Sequence, residues 1–552
     1  MSLTRSPCGP TLQTLVRKTA FMGSLRRSET VECSHLGGED PTAVRVVRGR
    51  VDASAEGRVD EWRRYVEAGG MLVVVPEPGD ERQGELTGII VEAVRPSAEW
   101  FVTLADRPEA ARLDRAVATR SRLHVLRAVA RDVDVAATTS VGFRSVPVLT
   151  VRPLGRGRVV AVGLADVDLD LDALDERGLG RYVRRLLDPL PSSLQALGLG
   201  VVGYGPHGGM GYLHGLAACE TDGMHFVAAV DPIAERRAAA LVDFPDAHVY
   251  ASADELAGDE AVDIAVVATP PSRHAELAVA LLEMGKHVVV EKPMCLSVDD
   301  ADRMMAAAGA NGRVLTVHQS RRWDTDFRAV RRAVELGLLG GVFNIETFVG
   351  GFEHPCRAWH SDETISGGAV YDWGSHHIDW ILALSGESPM RVVAHSHKRV
   401  WHDVTNADQV TVWMQWRDGR EATFRQSDVA AIRRPKFLVQ GTEGTLEGHY
   451  RPLLVESVEP GRGYRARTEH HAEAPVDLRL VRYETGYGTV EQLLPPVPHV
   501  EWGFHRNLAD HLLLGEPLAV PPSQSRAVVA VLEAAQRAGA NGSAIVDLSQ
   551  PA

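Results

Sequence analysis

The feature that most constrains this chain is a regular exchange of short apolar strands and helical segments that starts at Ala196. Leu197–Val202 is an apolar run of strand length. The glycine-rich turn Gly203-Tyr-Gly-Pro-His-Gly-Gly-Met-Gly211 follows, and Tyr212–Cys219 has helical character. A second strand, Phe226–Val230, ends at Asp231, and Ala234–Val242 continues as a helix. The exchange runs on through strand Val262–Ala268, helix Arg273–Met284, strand His287–Val290, helix Val298–Ala308 and strand Arg313–His318. Continuous apolar strands joined by helices of this length predict a parallel sheet covered on both faces.

After Gln319 the pattern changes. Val342–Val349, Arg391–Val400, Gln409–Trp416, Glu421–Ser427 and Lys436–Val439 are β-rich, with the alternation of antiparallel strands that leave one face open. A helix is predicted over Ala369–Ser385, and two more over His505–Leu514 and Gln524–Ala538. Upstream, residues 41–190 read as a separate α/β unit. It has a strand from Val44, a helix over Glu56–Ala68, a buried strand at Met71–Val75, strands at Val146–Val151 and Val159–Val162, and a helix at Gly178–Leu187. Pro189-Leu-Pro-Ser-Ser193 reads as a linker. Residues 1–28 hold five basic residues and no acid, without an apolar segment long enough for a signal peptide. Residues 1–40 are therefore expected to be an extension without structure. The expected division is 1–40, 41–190, 196–318 and 319–552.

Composition removes several classes of function. Acids outnumber Lys and Arg by 73 to 59, which disfavours a nucleic-acid binder. No apolar run approaches the roughly 20 residues of a membrane span, so no membrane partner is expected. The five cysteines are scattered without a CxxC pair, so neither a disulfide framework nor a cysteine zinc site is expected, and a cytoplasmic setting is the simplest. The histidine pairs His376-His377, His395/His397 and His470-His471 carry no metal motif, and no metal site is expected.

The turn can be parsed as GxGxxG through Gly203, Gly205 and Gly208. It lies between a strand and a helix, with Asp231 at the end of the next strand, twenty residues beyond Gly211. In that context one glycine permits the tight turn, another lets backbone approach a diphosphate, and a third allows close strand–helix packing. A carboxylate at Asp231 can accept hydrogen bonds from a ribose. A dinucleotide is the expected ligand. Asp231 favours NAD, while Arg236 and Arg237 leave NADP possible.

Two further segments, Val289-Val-Glu-Lys-Pro-Met294 and Asp372-Trp-Gly-Ser-His-His-Ile-Asp379, combine with Thr269-Pro-Pro-Ser-Arg-His274, Gln319-Ser-Arg-Arg-Trp-Asp324, Gly367-Gly368 and Gln440-Gly-Thr-Glu-Gly-Thr445. Together these motifs make residues 196 to about 540 resemble the Gfo/Idh/MocA oxidoreductases. The resemblance implies a Rossmann doubly wound parallel sheet followed by an α+β domain with a largely antiparallel, open-faced sheet. It implies hydride transfer between a nicotinamide and a sugar, cyclitol or related polyol. It also implies Lys292, Asp372 and His376 as catalytic residues. Gly203, Gly205, Gly208, Gly211, Asp231, Thr269, Pro270, His274, Glu291 and Lys292 would hold the cofactor. Arg322, Trp359, His360 and His377 would meet the substrate. A homo-oligomer is expected. Two departures stand out. His214 matches the family's helix histidine only if Gly211 is its third glycine, which leaves three extra loop residues. Trp359-His360 stands where many members have Trp-Arg. An NAD-assisted glycosidase and a cofactor-binding protein without turnover remain the alternatives.

Tyr65-Val-Glu-Ala-Gly-Gly-Met-Leu-Val-Val74 and Gly155-Arg-Gly-Arg-Val-Val160 make the N-terminal unit resemble ThuA-like domains of the glutamine-amidotransferase-like superfamily. The resemblance implies a flavodoxin-like α/β fold. Glutamine hydrolysis there needs a cysteine nucleophile. No cysteine lies between Cys33 and Cys219, so an accessory role is expected.

Overall fold

The computed structural model describes residues 32–36, 44–48, 56–105, 110, 116–166, 179–187, 196–205, 209–356, 358–459, 463–469, 474–495, 497–540 and 542–548. The chain divides into two compact units between Pro191 and Ser192. Among the described residues, no helix is long and apolar enough to cross a membrane.

The N-terminal unit is built on an eight-stranded sheet. Val44–Arg48, Met71–Val74 and Gly157–Val162 lie side by side in parallel. The helix Glu56–Glu67 covers them through Val59, Trp62 and Val66. Gly157 is where the hairpin passes under that helix: a Cβ there would lie 2.1 Å from the Gly70 carbonyl oxygen. The rest of the sheet differs from the expected flavodoxin-like plan. Ile89–Leu104, Ala116–Ala128, Asp134–Val141 and Arg144–Leu154 are long antiparallel strands, not strand–helix units. Their buried side is discontinuous, with a register shift at Arg95/Ala98, so no clean period of two marks them. Glu32–Leu36 also departs from expectation. It lies in the stretch read as an unstructured extension, yet pairs antiparallel with Val44–Arg48. Residues 1–31 lie outside the described residues.

The second unit begins with a six-stranded parallel sheet. Its spatial order is His248–Tyr250, Met224–Val230, Leu197–Val202, Ile264–Val267, His287–Val290 and Leu315–Val317. The order reverses beside Leu197–Val202, which opens a crevice at the carboxyl ends of the strands. Register aligns those ends: Val202 pairs with Val230 and Val267, and Val290 pairs with Val267 and Val317. Leu199, Val201, Val266, Val289 and Leu281 form the core beneath.

A nine-stranded sheet follows, antiparallel except where Val342–Gly350 runs parallel to Glu421–Ser427. Gln409–Gln415 alternates buried and half-buried positions along its length. Trp380, Phe424, Phe437, Leu532 and Val531 fill the covered face. The helix expected over Ala369–Ser385 is interrupted at Trp373, giving Ala369–Asp372 and Gly374–Ser385. Ser375 Oγ donates to the Asp372 carbonyl at 2.7 Å, and the His376 amide bonds Trp373 O instead. A serine hydroxyl that takes a backbone acceptor tightens the turn in this way.

Candidate active site at the strand ends

The glycine turn is shaped by close backbone approach. Gly203 has φ +96°, and a Cβ on it would lie 2.8 Å from the Ala268 carbonyl oxygen. A Cβ on Gly211 would lie 2.5 Å from the Tyr204 carbonyl oxygen. Gly211 is therefore the glycine that lets the helix Met210–Glu220 pack on its strand, and His214 follows three residues later. Gly205 and Gly209 leave open space where a Cβ would stand, with Arg236 Nη1 at 3.8 Å the nearest atom to that of Gly205. Gly208 lies outside the described residues.

Asp231 is turned inward. Its carboxylate accepts from Gly205 N at 3.1 Å and Ile233 N at 3.0 Å, with Arg236 Nη1 at 3.5 Å. Expected as a ribose acceptor, it first braces the glycine turn. Arg237 is held by the carbonyls of Asp231 and Pro232. At the next strand end, Thr269 Oγ1 is buried without a hydrogen-bond partner. An orphaned hydroxyl beside an open glycine turn fits a bound dinucleotide. Pro270 precedes the short turn Pro271–Arg273. His274, expected to hold the cofactor, is instead fully buried, its nitrogens 2.7 Å from Thr269 O and 2.9 Å from Pro293 O. It ties two loops together and offers no face to a cofactor. Glu291 is likewise buried. Its carboxylate meets His214 Nε2 at 2.9 Å and His318 Nδ1 at 2.7 Å and accepts from Lys292 N at 3.1 Å. It shapes the lysine's turn from below.

The strand His287–Val290 delivers Lys292 to the crevice. Its Nζ donates to Asp372 Oδ1 at 2.9 Å across 80 residues. Burial alone would raise the Asp372 carboxyl. The charge and hydrogen bond of Lys292, with the charges of His360 and Arg321, outweigh burial and hold it below the usual carboxylate range. His376 lies one tightened turn beyond. Burial and the charges of Lys292, Arg321 and His377 push its imidazole well below the usual histidine range, so it is neutral near pH 7. Its Nδ1 is buried with no hydrogen-bond partner. Lys292 is thus the point to which both other residues couple.

Two expected substrate residues are placed elsewhere. Arg322 grips Asp379 with Nε and Nη2 at 2.7 and 2.6 Å, and its Nη1 bonds Ala519 O and Gln524 Oε1. His377 is fully buried, its ring 4.7 Å from that of Trp380 and 5.3 Å from that of Phe424. It is a core residue. Trp359 and His360 stack at 3.7 Å. The charge of His360 is among those that lower the Asp372 carboxyl. Arg321 is the residue the sequence reading passed over. It lies over the Trp373 ring at 5.4 Å, and its charge acts on both Asp372 and His376. The motif Gln319-Ser-Arg-Arg-Trp-Asp324 held that signal. Asp428, at the end of strand Glu421–Ser427, was also missed. Burial and the carboxylates of Asp372 and Asp408 push it up to about 7. Of the histidine pairs, His395 and His397 pack 4.6 Å apart on one strand, and His470-His471 lie outside the described residues.

A parallel sheet whose strand ends carry a glycine turn and a lysine, joined to a second domain supplying an acid and a neutral histidine, defines a dinucleotide-dependent oxidoreductase. Residues 197–319 match the oxidoreductase family with an NAD-binding Rossmann fold, and residues 327–447 match the GFO/IDH/MocA C-terminal domain. The chain belongs to the Gfo/Idh/MocA family of oxidoreductases. It is 27% identical over 296 residues to scyllo-inositol 2-dehydrogenase (NADP(+)) IolW of Bacillus subtilis, covering 53% of this chain and 81% of that one. It is 30% identical over 254 residues to an uncharacterized oxidoreductase of Schizosaccharomyces pombe, covering 43% and 69%. It is 29% identical over 235 residues to 1,5-anhydro-D-fructose reductase of Ensifer adhaerens, covering 42% and 71%. Among solved structures, an NAD-binding protein from Listeria innocua superposes with a TM-score of 0.54 at 27% identity, covering 64% of this chain and 97% of that one.

Proposed function

We propose that this protein moves hydride between a nicotinamide dinucleotide and a hydroxyl- or carbonyl-bearing carbon of a sugar, cyclitol or related polyol. The observation that carries the reading is the 2.9 Å Lys292–Asp372 ion pair beside a neutral, buried His376 at the carboxyl edge of the dinucleotide sheet. When bound, the nicotinamide supplies the hydride acceptor or donor. The Lys292 ammonium has three donors, and Asp372 occupies one. Another bonds the reacting oxygen and stabilises charge as it develops there. Neutral His376 takes the hydroxyl proton in oxidation and returns it in reduction. Asp372 orients the lysine. Trp359 and His360, with Arg321, border the polyol. The names of the inositol dehydrogenase and anhydrofructose reductase relatives support that substrate class.

The preferred cofactor is NAD, because a carboxylate at Asp231 repels a 2′-phosphate. Arg236 at 3.5 Å is the group that could offset it. The N-terminal unit is an accessory domain, and the protein works as a homo-oligomer in the cytoplasm. The deciding experiment incubates the purified full chain with NAD or NADP and a panel of polyols. Net accumulation of reduced cofactor is the expected result. Release of an aglycone without net reduction would mark an NAD-assisted glycosidase. Tight cofactor binding with neither would mark a protein without turnover.

A further inference from the structure

Three histidines from distant segments meet beneath the strand ends. His214 lies in the second turn of helix Met210–Glu220, His318 directly after strand Leu315–Val317, and His505 in the first turn of helix Gly503–Leu514. All three are buried, and their ligand nitrogens fall within 4.8 Å of one another. Ring centroids are 4.5 Å apart for His214–His318, 5.1 Å for His214–His505 and 5.4 Å for His318–His505. Three imidazoles on one tetrahedral zinc, each with a Zn–N bond of about 2.0–2.1 Å, would hold their centroids about 5 Å apart.

The tautomers are set by one carboxylate. Glu291 Oε1 lies 2.9 Å from His214 Nε2 and 2.7 Å from His318 Nδ1, and an ionised carboxylate only accepts. Both nitrogens therefore carry protons, which leaves lone pairs on His214 Nδ1 and, in the neutral ring, on His318 Nε2. His214 Nδ1 faces His505 Nε2 at 2.9 Å. A ligating histidine commonly donates its second N–H to a carboxylate, which fixes the ring and raises its basicity. Here one carboxylate does this for two rings.

We propose that His214, His318 and His505 form a binding site for a divalent transition-metal cation of the zinc class, with Glu291 orienting two of the ligands. The proton that His505 Nε2 shares with His214 Nδ1 moves to His505 Nδ1, so that neutral His505 turns the lone pair of its Nε2 to the ion. The two facing nitrogens then open from 2.9 Å to about 3.3 Å, the spacing on a tetrahedral zinc. All three histidines line a cavity of about 540 Å³ that is also bordered by Asp324, Trp502 and Glu501. That cavity supplies an entry path and room for a water or small ligand in a fourth position.

The test uses the full-length protein, stripped with a chelator and then titrated with Zn²⁺ and with Co²⁺. The expected result is one ion per chain by elemental analysis, visible absorption of tetrahedral Co²⁺, and a melting temperature raised by added Zn²⁺. His505→Phe should abolish stoichiometric binding and the Co²⁺ absorption, and Glu291→Gln should weaken Zn²⁺ affinity by about 10–100-fold. His395→Ala should change neither. Wild-type protein that takes up no Zn²⁺ after stripping, or takes it up without the tetrahedral Co²⁺ signature, would overturn the proposal. So would undiminished binding in His505→Phe. Should His505→Phe not fold, the wild-type Co²⁺ spectrum and Glu291→Gln decide it.

Discussion

Each unit of this chain contains strands that run in parallel, yet the two sets end differently. In the dinucleotide sheet, the residues just past the strands are Gly203, Asp231, Ala268 with Thr269 after it, Glu291 and His318, all reached from one edge. In the N-terminal unit, the parallel strands Met71–Val74 and Gly157–Val162 end in Val75 and in Gly163-Leu164, and both Val75 and Leu164 are buried. The long strand Ala116–Ala128 closes over that end. His124 N donates to Gly163 O at 2.7 Å, Ala165 N donates to Arg122 O at 3.0 Å, and the His124 ring lies 2.8 Å from Pro76 O. An open crevice needs parallel neighbours on both sides of the switch point. An antiparallel strand folded across the carboxyl ends satisfies their backbone groups and removes the crevice. The α/β label alone therefore says little about where ligands go.

The sharpest test of this contrast is turnover. Lys292→Ala should lower kcat by orders of magnitude with dinucleotide affinity nearly unchanged, because its bond to the reacting oxygen strengthens as charge develops. His376→Ala should cost about 10²–10⁴ in kcat. His124→Ala, in the closed sheet, should leave kcat at the wild-type value in steady-state assays. A fall comparable to that of Lys292→Ala would break the contrast.

Paired glycine variants probe packing in the two units. Gly211→Val and Gly157→Val each put a Cβ against a backbone oxygen, at 2.5 and 2.1 Å. Each should destabilise by about 1–3 kcal/mol in denaturant titrations. Only Gly211→Val should also weaken dinucleotide binding, measured by cofactor fluorescence. Loss of binding in Gly157→Val would show that the closed sheet contributes to the site.

Smaller effects sharpen the open edge itself. Arg236→Ala should raise the Kd for NADP by roughly tenfold more than that for NAD, because an arginine pairs with a 2′-phosphate. Equal changes for both cofactors would remove Arg236 from specificity. The smallest effect concerns pH. Asp428 is pushed up to about 7 by burial and by Asp372 and Asp408, whereas an unfolded aspartate titrates near 4. Between these values the folded state holds a proton that the unfolded chain has released. Stability therefore falls as pH rises from about 4 to about 7. Asp428→Asn removes that loss, so its melting temperature should exceed wild type at pH 8 and converge with it near pH 4. A constant difference across that range would assign Asp428 no proton.

Much of the dinucleotide sheet was legible because its strands are continuous apolar runs: Leu197–Val202 and His287–Val290 have the predicted bounds. Ile89–Leu104 and Ala116–Ala128 were not legible, since their burial is broken and their pairing is held by distant partners. At the site, the short motifs around Lys292, Asp372 and His376 pointed to those residues through the family resemblance, since a strand-end Lys-Pro or an Asp four residues before a His is by itself an ordinary turn or surface pair. The adjacent arginines show the limit of such reading. Arg321 and Arg322 are the same residue type in one motif. Only Asp379, 57 residues away, decides that Arg322 is gripped there, whereas Arg321 lies over Trp373 and pairs with Asp324.

By itself, the sequence determined what neighbouring residues dictate: the βα alternation, the glycine turn, the strand-end lysine and the acid–histidine spacing. Local period and backbone sterics are short-range, so they are written in adjacent residues. Tertiary structure decided which groups meet. Asp231 was turned onto Gly205 N, His377 went into the core, and an antiparallel strand closed the N-terminal sheet. His214 and His505, 291 residues apart, came within 2.9 Å of each other. The physical reason is that a hydrogen bond or a buried charge acts over a few ångströms in space. Nothing in linear spacing records which distant segment the packed core will bring that close.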